Sequence, residues 1–195
     1  MHTKYLIGCE VVTPHIQEHL RVLRAAFCRK LCKKPTFPTF GHVTFFRPFM
    51  ASFEIASRIN LAIEVSALRL SMGESLFVLG EARFFEGQDV DTLYLEVRAE
   101  GETLDFLKKM RDKLFSLGEI SVLGKRLDGG TPNLHVTLFQ GKNISRKSRL
   151  LEAVARYNKS IEKMNEGDLV VFETFIPAMY QRCKAGWKIL GSHFE

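Results

Sequence analysis

The sequence predicts an α+β chain built from two similar halves. Three observations carry this expectation. The tripeptide His42-Val43-Thr44 recurs as His135-Val136-Thr137, each inside an apolar, β-prone run, Phe40 to Phe46 and Leu134 to Phe139. Each copy is preceded by the same order of elements, a strand and then an amphipathic helix. The 195 residues contain no low-complexity segment and no long linker, so the halves are expected to share one body, a single domain over residues 1–195. Two like units suggest packing about a pseudo-twofold axis, with both motif strands lining one groove.

The elements follow in order. Lys4 to Val12 reads as a strand. Thr13-Pro14 starts a helix, because Thr can cap free amides and Pro is tolerated at the first helical position. Ile16, Leu20, Leu23, Phe27 and Leu31 then recur along one helical face, and Lys33-Lys34-Pro35 ends it. The first His-x-Thr strand comes next. Ser66 to Met72 and Leu76 to Phe85 read as strands paired across Gly73-Glu74. Thr92 to Ala99 is a strand, and Gly101 to Leu117 a helix with Leu104, Leu107, Met110, Leu114 and Leu117 at helical spacing, with Gly118 as its terminator. A loop ending in Asp128-Gly129-Gly130-Thr131-Pro132 leads to the second His-x-Thr strand. A helix over Ser145 to Ile161 places Leu150, Leu151, Val154 and Tyr157 on its apolar side. Strands over Leu169 to Phe175 and, after a turn near Lys184-Ala185-Gly186, Trp187 to Phe194 close the chain.

The repeated tripeptide carries the chemistry. In a strand, residues i and i+2 share a face. His42 and Thr44 point one way while Val43 and Phe45 point into a core; His135 and Thr137 repeat this against Val136 and Leu138. One His-x-Thr means nothing, since six His give on the order of 0.3 such tripeptides by chance. Two copies in matching contexts are a pattern. Paired imidazoles that titrate near neutral pH suit a reaction needing one general base and one general acid. Paired hydroxyls can hydrogen-bond the non-bridging oxygens of a phosphodiester. Such a site requires neither metal nor cofactor.

Composition narrows the class. A formal net charge of +6 favours a polyanionic partner. Cys9, Cys28, Cys32 and Cys183 form no Cys-x-x-Cys pair and no zinc spacing, which reads as free thiols in a reducing cytoplasm. The opening apolar run is too short for a signal peptide and no stretch approaches the ~20 apolar residues of a membrane span, so the expectation is a cytoplasmic monomer. There is no phosphate-binding Gly-rich loop, no nucleophile elbow, no His-Glu-x-x-His and no DNA-reading helix-turn-helix or zinc finger. Lys125-Arg126-Leu127-Asp128-Gly129 approaches the adenylated-lysine motif of ATP-dependent ligases but is one residue too long.

The paired His-x-Thr motifs resemble the 2H phosphoesterase superfamily, including the LigT-like "2′-5′ RNA ligase" and cyclic phosphodiesterase group. The likeness spans nearly the whole chain. The resemblance implies a bilobal α+β fold, with two antiparallel sheets around a central groove and helices outside. It also implies metal-independent attack on 2′,3′-cyclic phosphates or 2′-5′ linkages of RNA or nucleotides. By that resemblance His42 and His135 are the catalytic pair, while Thr44 and Thr137 hold phosphate. Tyr180 and Trp187 are candidates to stack on a base, and Arg47, Lys142 and Arg182 to contact phosphate. The rival expectation is a binding module of the same fold that captures a nucleotide or RNA without turnover.

Overall fold

The computed structural model describes residues 3–11, 14–28, 42–70, 77–87, 90–99, 101–116, 134–141, 144, 147–164, 171–172, 176–183 and 186–190. It is a mixed α+β structure of eight strands and four helices among these residues. In chain order they are β1 (Thr3–Glu10), α1 (Pro14–Cys28), β2 (His42–Ala51), α2 (Phe53–Leu70), β3 (Phe77–Phe85), β4 (Asp91–Ala99), α3 (Gly101–Ser116), β5 (His135–Gly141), α4 (Lys147–Ile161), β6 (Val171–Phe172), β7 (Ile176–Cys183) and β8 (Gly186–Ile189).

Most helices sit where helical spacing places them. In α1, Pro14 opens the helix and Ile16, Leu20 and Phe27 are buried, with Leu23 packed beside them. In α4, Leu150 and Val154 are buried and Tyr157 packs against the core, but Leu151 is 44% exposed and belongs to the solvent side. Leu31, Lys33-Lys34-Pro35, Gly118 and the Asp128–Pro132 loop lie outside the described residues.

Two expectations need correction. Over the described part of the strand read at Ser66 to Met72 there is helix instead: residues 66–70 are the end of α2, and 71–72 lie outside the described residues. The stronger local signal lies upstream. Ser52 caps the helix, accepting the Ile55 amide on Oγ at 3.3 Å and the Ala56 amide on its carbonyl at 3.0 Å. Ala56, Ile59 and Ile63 then form a buried stripe at helical spacing. A helix started this way propagates cooperatively through residues of modest β-propensity. The second correction is β7, a full strand where the sequence reading places none. Pro177 disguises it. Pro177 pairs with Cys9 of β1, and among the described residues the pairs of β7 with β8 run from Tyr180 to Cys183, so the missing amide falls outside that ladder.

The strands form one antiparallel sheet in the order β6-β3-β4-β5-β2-β1-β7-β8. The order is palindromic about the β5–β2 junction. The first unit runs β1-α1-β2-α2-β3 and the second β4-α3-β5-α4-β7, with β6 placed before β7. Each unit sends its last strand to the other half: β3 pairs with β4, and β7 with β1. The two halves are hydrogen-bonded into a single sheet, joined among the described residues at the pairs Val43↔Val136 and Thr44↔His135. Bulges in β2 against β1 (between Tyr5 and Gly8), in β3 against β4, and in β4 against β5 bend the strands.

One face of the sheet carries the main core. Val43, Phe45, Val136, Leu138, Leu95, Ile7 and Met179 meet the buried faces of the helices in one cluster. At the β3 bulge a side chain takes the place of a neighbouring strand: Asn158 of α4 accepts the Ala82 amide at 2.8 Å and donates to the Ala82 carbonyl at 3.0 Å. Among the described residues, no helix is long and apolar enough to cross a membrane.

Candidate active site

The join between the halves brings the two motifs together. Residues directly opposite in an antiparallel pair share a face of the sheet. Thr44 pairs with His135, so the hydroxyl of one motif stands beside the imidazole of the other. In the same register His42 and Thr137 follow two residues on, where the ladder has ended. All four side chains therefore occupy one face, opposite the core face of Val43 and Val136, which are both fully buried. The imidazoles lie on one diagonal of this square and the hydroxyls on the other. By general sheet geometry, opposed Cβ atoms are about 4.5–5.5 Å apart and diagonal positions roughly 7–8 Å. That spacing allows a phosphate to lie between the two rings.

Burial distinguishes these side chains. Among the described residues the buried polar side chains are His42 (5% exposed), Thr44 (5%), Thr137 (8%) and Thr103 (1%), three of the four from the motifs. His135 is half-buried. Burying polar groups is costly unless they are bonded or functional, so a concentration of them at one junction marks a site.

Neighbouring strands hold the rings. The Tyr180 ring lies 5.0 Å from the His42 ring at 31°, and the Tyr94 ring 5.2 Å from the His135 ring at 59°. Tyr94 is on β4, where it pairs with Thr137. Tyr180 is on β7, two strands from His42, and its position pairs with Leu6 on the intervening β1. Two residues on, β1 carries Gly8, which pairs with both Thr44 and Ala178, so no bulky side chain stands there. Leu6 and Tyr180 are buried yet stand apart from the main core cluster, as expected for the motif face.

The end of the β2–β5 ladder is met from α1. The half-buried Arg24 donates from Nη2 to the Thr137 carbonyl at 3.3 Å. This bond spans 113 residues and anchors the second motif where it parts from the first.

The other sequence candidates separate. Tyr180, a candidate to stack on a base, is fully buried with its ring against His42. Arg182 and Trp187 pair across β7 and β8, with the guanidinium 5.5 Å from the indole centroid. Arg182 is exposed and shares the face of Tyr180 by strand alternation. Arg47 lies in β2 at the bulge, and Lys142 lies outside the described residues. Sequence reading missed Tyr94, Glu96 and Gly8. Strand alternation held the signal for the first two: Leu93, Leu95 and Val97 are buried, which leaves Tyr94 and Glu96 on the opposite face with His135. Among the described residues, no group of three or more His, Cys, Asp or Glu is placed to hold a metal ion.

No family model and no curated protein matches this chain.

Proposed function

We propose that the chain is a 2H-type phosphodiesterase: one domain over residues 1–195 that hydrolyses 2′,3′-cyclic phosphates or 2′-5′ linkages of RNA or nucleotides without a metal. The observation that carries this reading is the Thr44↔His135 pairing, which brings two motifs 93 positions apart onto one face of the sheet as a His/Thr square. The bilobal arrangement around a groove belongs to the same proposal, with the two halves of the sheet as the lobes. So do a cytoplasmic location and action as a monomer.

The chemistry follows from the square. A phosphodiester between the imidazoles has one ring on the side of attack and the other on the side of departure. One imidazole takes a proton from water as its oxygen bonds to phosphorus. The other gives a proton to the ribose oxygen as its bond to phosphorus breaks. Thr44 and Thr137 donate hydrogen bonds to the non-bridging oxygens, where negative charge accumulates. Tyr180 and Tyr94 limit the swing of the rings. Arg182, with Trp187 beside it, offers a cation and a flat edge for a further part of an RNA substrate.

The test is hydrolysis in EDTA of a short RNA ending in a 2′,3′-cyclic phosphate and of a 2′-5′ oligoadenylate. Wild type turns over at least one, with a bell-shaped pH profile. His42→Ala and His135→Ala each lower the rate by roughly 10²–10⁴-fold while remaining folded, and Thr44→Val or Thr137→Val lowers it less. Binding without turnover at any pH selects the non-catalytic nucleotide-binding module instead.

A further inference from the structure

Charge is concentrated on α4. Over Lys147–Ile161 this helix holds four Lys or Arg against one Glu, a formal +3, which is half of the chain's +6. Helices α1, α2 and α3 carry +1, 0 and +1. Nor is the charge spread around the helix. Arg149, Arg156 and Lys163 recur every seven residues, close to two full turns, so they stand in one row with Lys159 beside them. At 1.5 Å per residue the row is about 21 Å long, with neighbouring cations about 10.5 Å apart. Lys163 lies in the closing turn, where the Glu162 amide still bonds the Asn158 carbonyl at 2.9 Å and keeps the helical phase. Glu152 lies on the same side and leaves the row a net +3.

Helix stability does not account for this row. The first turn of a helix favours carboxylates, yet that of α4 has no acidic residue and carries Lys147 and Arg149. The fold does not use these cations either. Arg21, Arg58, Arg83, Lys108 and Lys147 each meet a carboxylate. Arg149, Arg156, Lys159 and Lys163 are exposed, and among the described residues none of them meets one. The helix beneath them is held in place. Leu150 and Val154 on its opposite side enter the core, Asn158 is bonded twice to Ala82, and Lys147 is paired with Glu86. A row of unneutralised cations on a fixed helix is a track for a polyanion.

We propose that the outer row of α4 binds the phosphate backbone of an RNA, as a second contact apart from the His/Thr square. Choosing RNA as the polyanion rests on the phosphodiesterase reading. Because α4 packs on the core side of the sheet, the row looks away from the motif face. An RNA that engages both is long enough to pass around the sheet edge at β6, the strand next to the β3 that α4 covers. The row therefore acts on the binding of long RNA and leaves the chemistry of a small substrate alone.

The experiment compares two triple variants that remove the same net charge. Arg149→Gln/Arg156→Gln/Lys163→Gln empties the row. Arg21→Gln/Arg58→Gln/Lys108→Gln removes cations that already have carboxylate partners. Gln is a good helix former, so both triples keep the wild-type circular dichroism. Fluorescence anisotropy of a single-stranded oligouridylate of about 30 nucleotides is followed from about 50 to 200 mM salt. Each phosphate contact on a single strand contributes about 0.7 to the slope of log affinity on log salt, so the row triple flattens it by about 2 and weakens binding roughly tenfold or more. The control triple stays close to wild type. Hydrolysis of 2′,3′-cyclic AMP, whose one phosphate does not span both places, is unchanged in the row triple. The proposal is overturned if the wild type does not bind the oligouridylate, or if both triples weaken binding alike, which would mean attraction by net charge alone. Absence of hydrolysis in the wild type, with binding lost only in the row triple, overturns the phosphodiesterase reading and leaves the row established as an RNA site.

Discussion

Gly8 is the position at which the smallest change should do the most damage. It pairs on one side with Thr44 of the first motif and on the other with Ala178 of β7. A Cβ there would lie 2.3 Å from the Val43 carbonyl oxygen and 3.3 Å from its carbon, against 3.4 Å for the onset of ordinary contact. The obstacle is main chain, so no side-chain rotation relieves it. Either β1 and β2 separate by about 1 Å or the clash stays, and overpacking of this kind costs about 1–3 kcal/mol. That is a sizeable share of the roughly 5–15 kcal/mol that holds a domain folded. The displaced strand is also the one carrying His42 and Thr44, and a misplacement of ~1 Å in a site can lower the rate by about 10²-fold. Gly80→Ala is the matched control, because its Cβ meets the Glu96 carbonyl oxygen at 3.4 Å and fits. Urea unfolding followed by circular dichroism and by the fluorescence of the single tryptophan, Trp187, reads both variants. The expectation is a Gly8→Ala loss of about 1–3 kcal/mol, with Gly80→Ala within about 0.5 kcal/mol of wild type. Equal, near-zero losses in the two would refute the close approach of β1 to the first motif.

Two further outcomes follow from the structure. Asn158→Ala leaves the amide and carbonyl of Ala82 without their side-chain partner at the β3 bulge; urea unfolding should show a loss of about 2 kcal/mol. His19 on α1 is held below its ordinary value by burial, and its Nε2 has no hydrogen-bond partner among the described residues. The folded state therefore binds a proton at this site less readily than the unfolded chain. The stability contributed by neutral His19 is complete above pH 6.5 and is lost as pH falls from there through the lower folded value. His19→Gln should lose less stability than wild type between pH 7.5 and pH 5.5 in urea titrations; an equal loss would show that His19 carries none of the acid sensitivity.

What the sequence made legible was local and periodic. The His-x-Thr strands could be read because Val43, Phe45, Val136 and Leu138 alternate with the polar residues, and these four are the ones found in the core. Helices α1, α3 and α4 followed from apolar spacing. What was not legible was long-range or disguised. Residues 66–70 taken alone read as strand, and it is the upstream stripe of Ala56, Ile59 and Ile63 that makes them the end of α2. Pro177 conceals β7, although that strand pairs with β1 from Ile176 to Gln181. The register that sets Thr44 beside His135 depends on bulges and on strands exchanged between the halves, which no window of sequence contains. The rings around the motifs, Tyr94 and Tyr180, acquire meaning only once their strands are in place.

The central claim is that the two motifs form a single site in which both imidazoles serve one reaction. Groups that act as a unit are strongly non-additive. The most direct measurement is therefore a double-mutant comparison on the RNA 2′,3′-cyclic phosphate, in EDTA, of wild type, His42→Ala, His135→Ala and the variant carrying both. One shared site predicts that each single change removes nearly all turnover and that the second removes little more. Near-wild-type turnover in either single variant, or losses that multiply in the double, would contradict it.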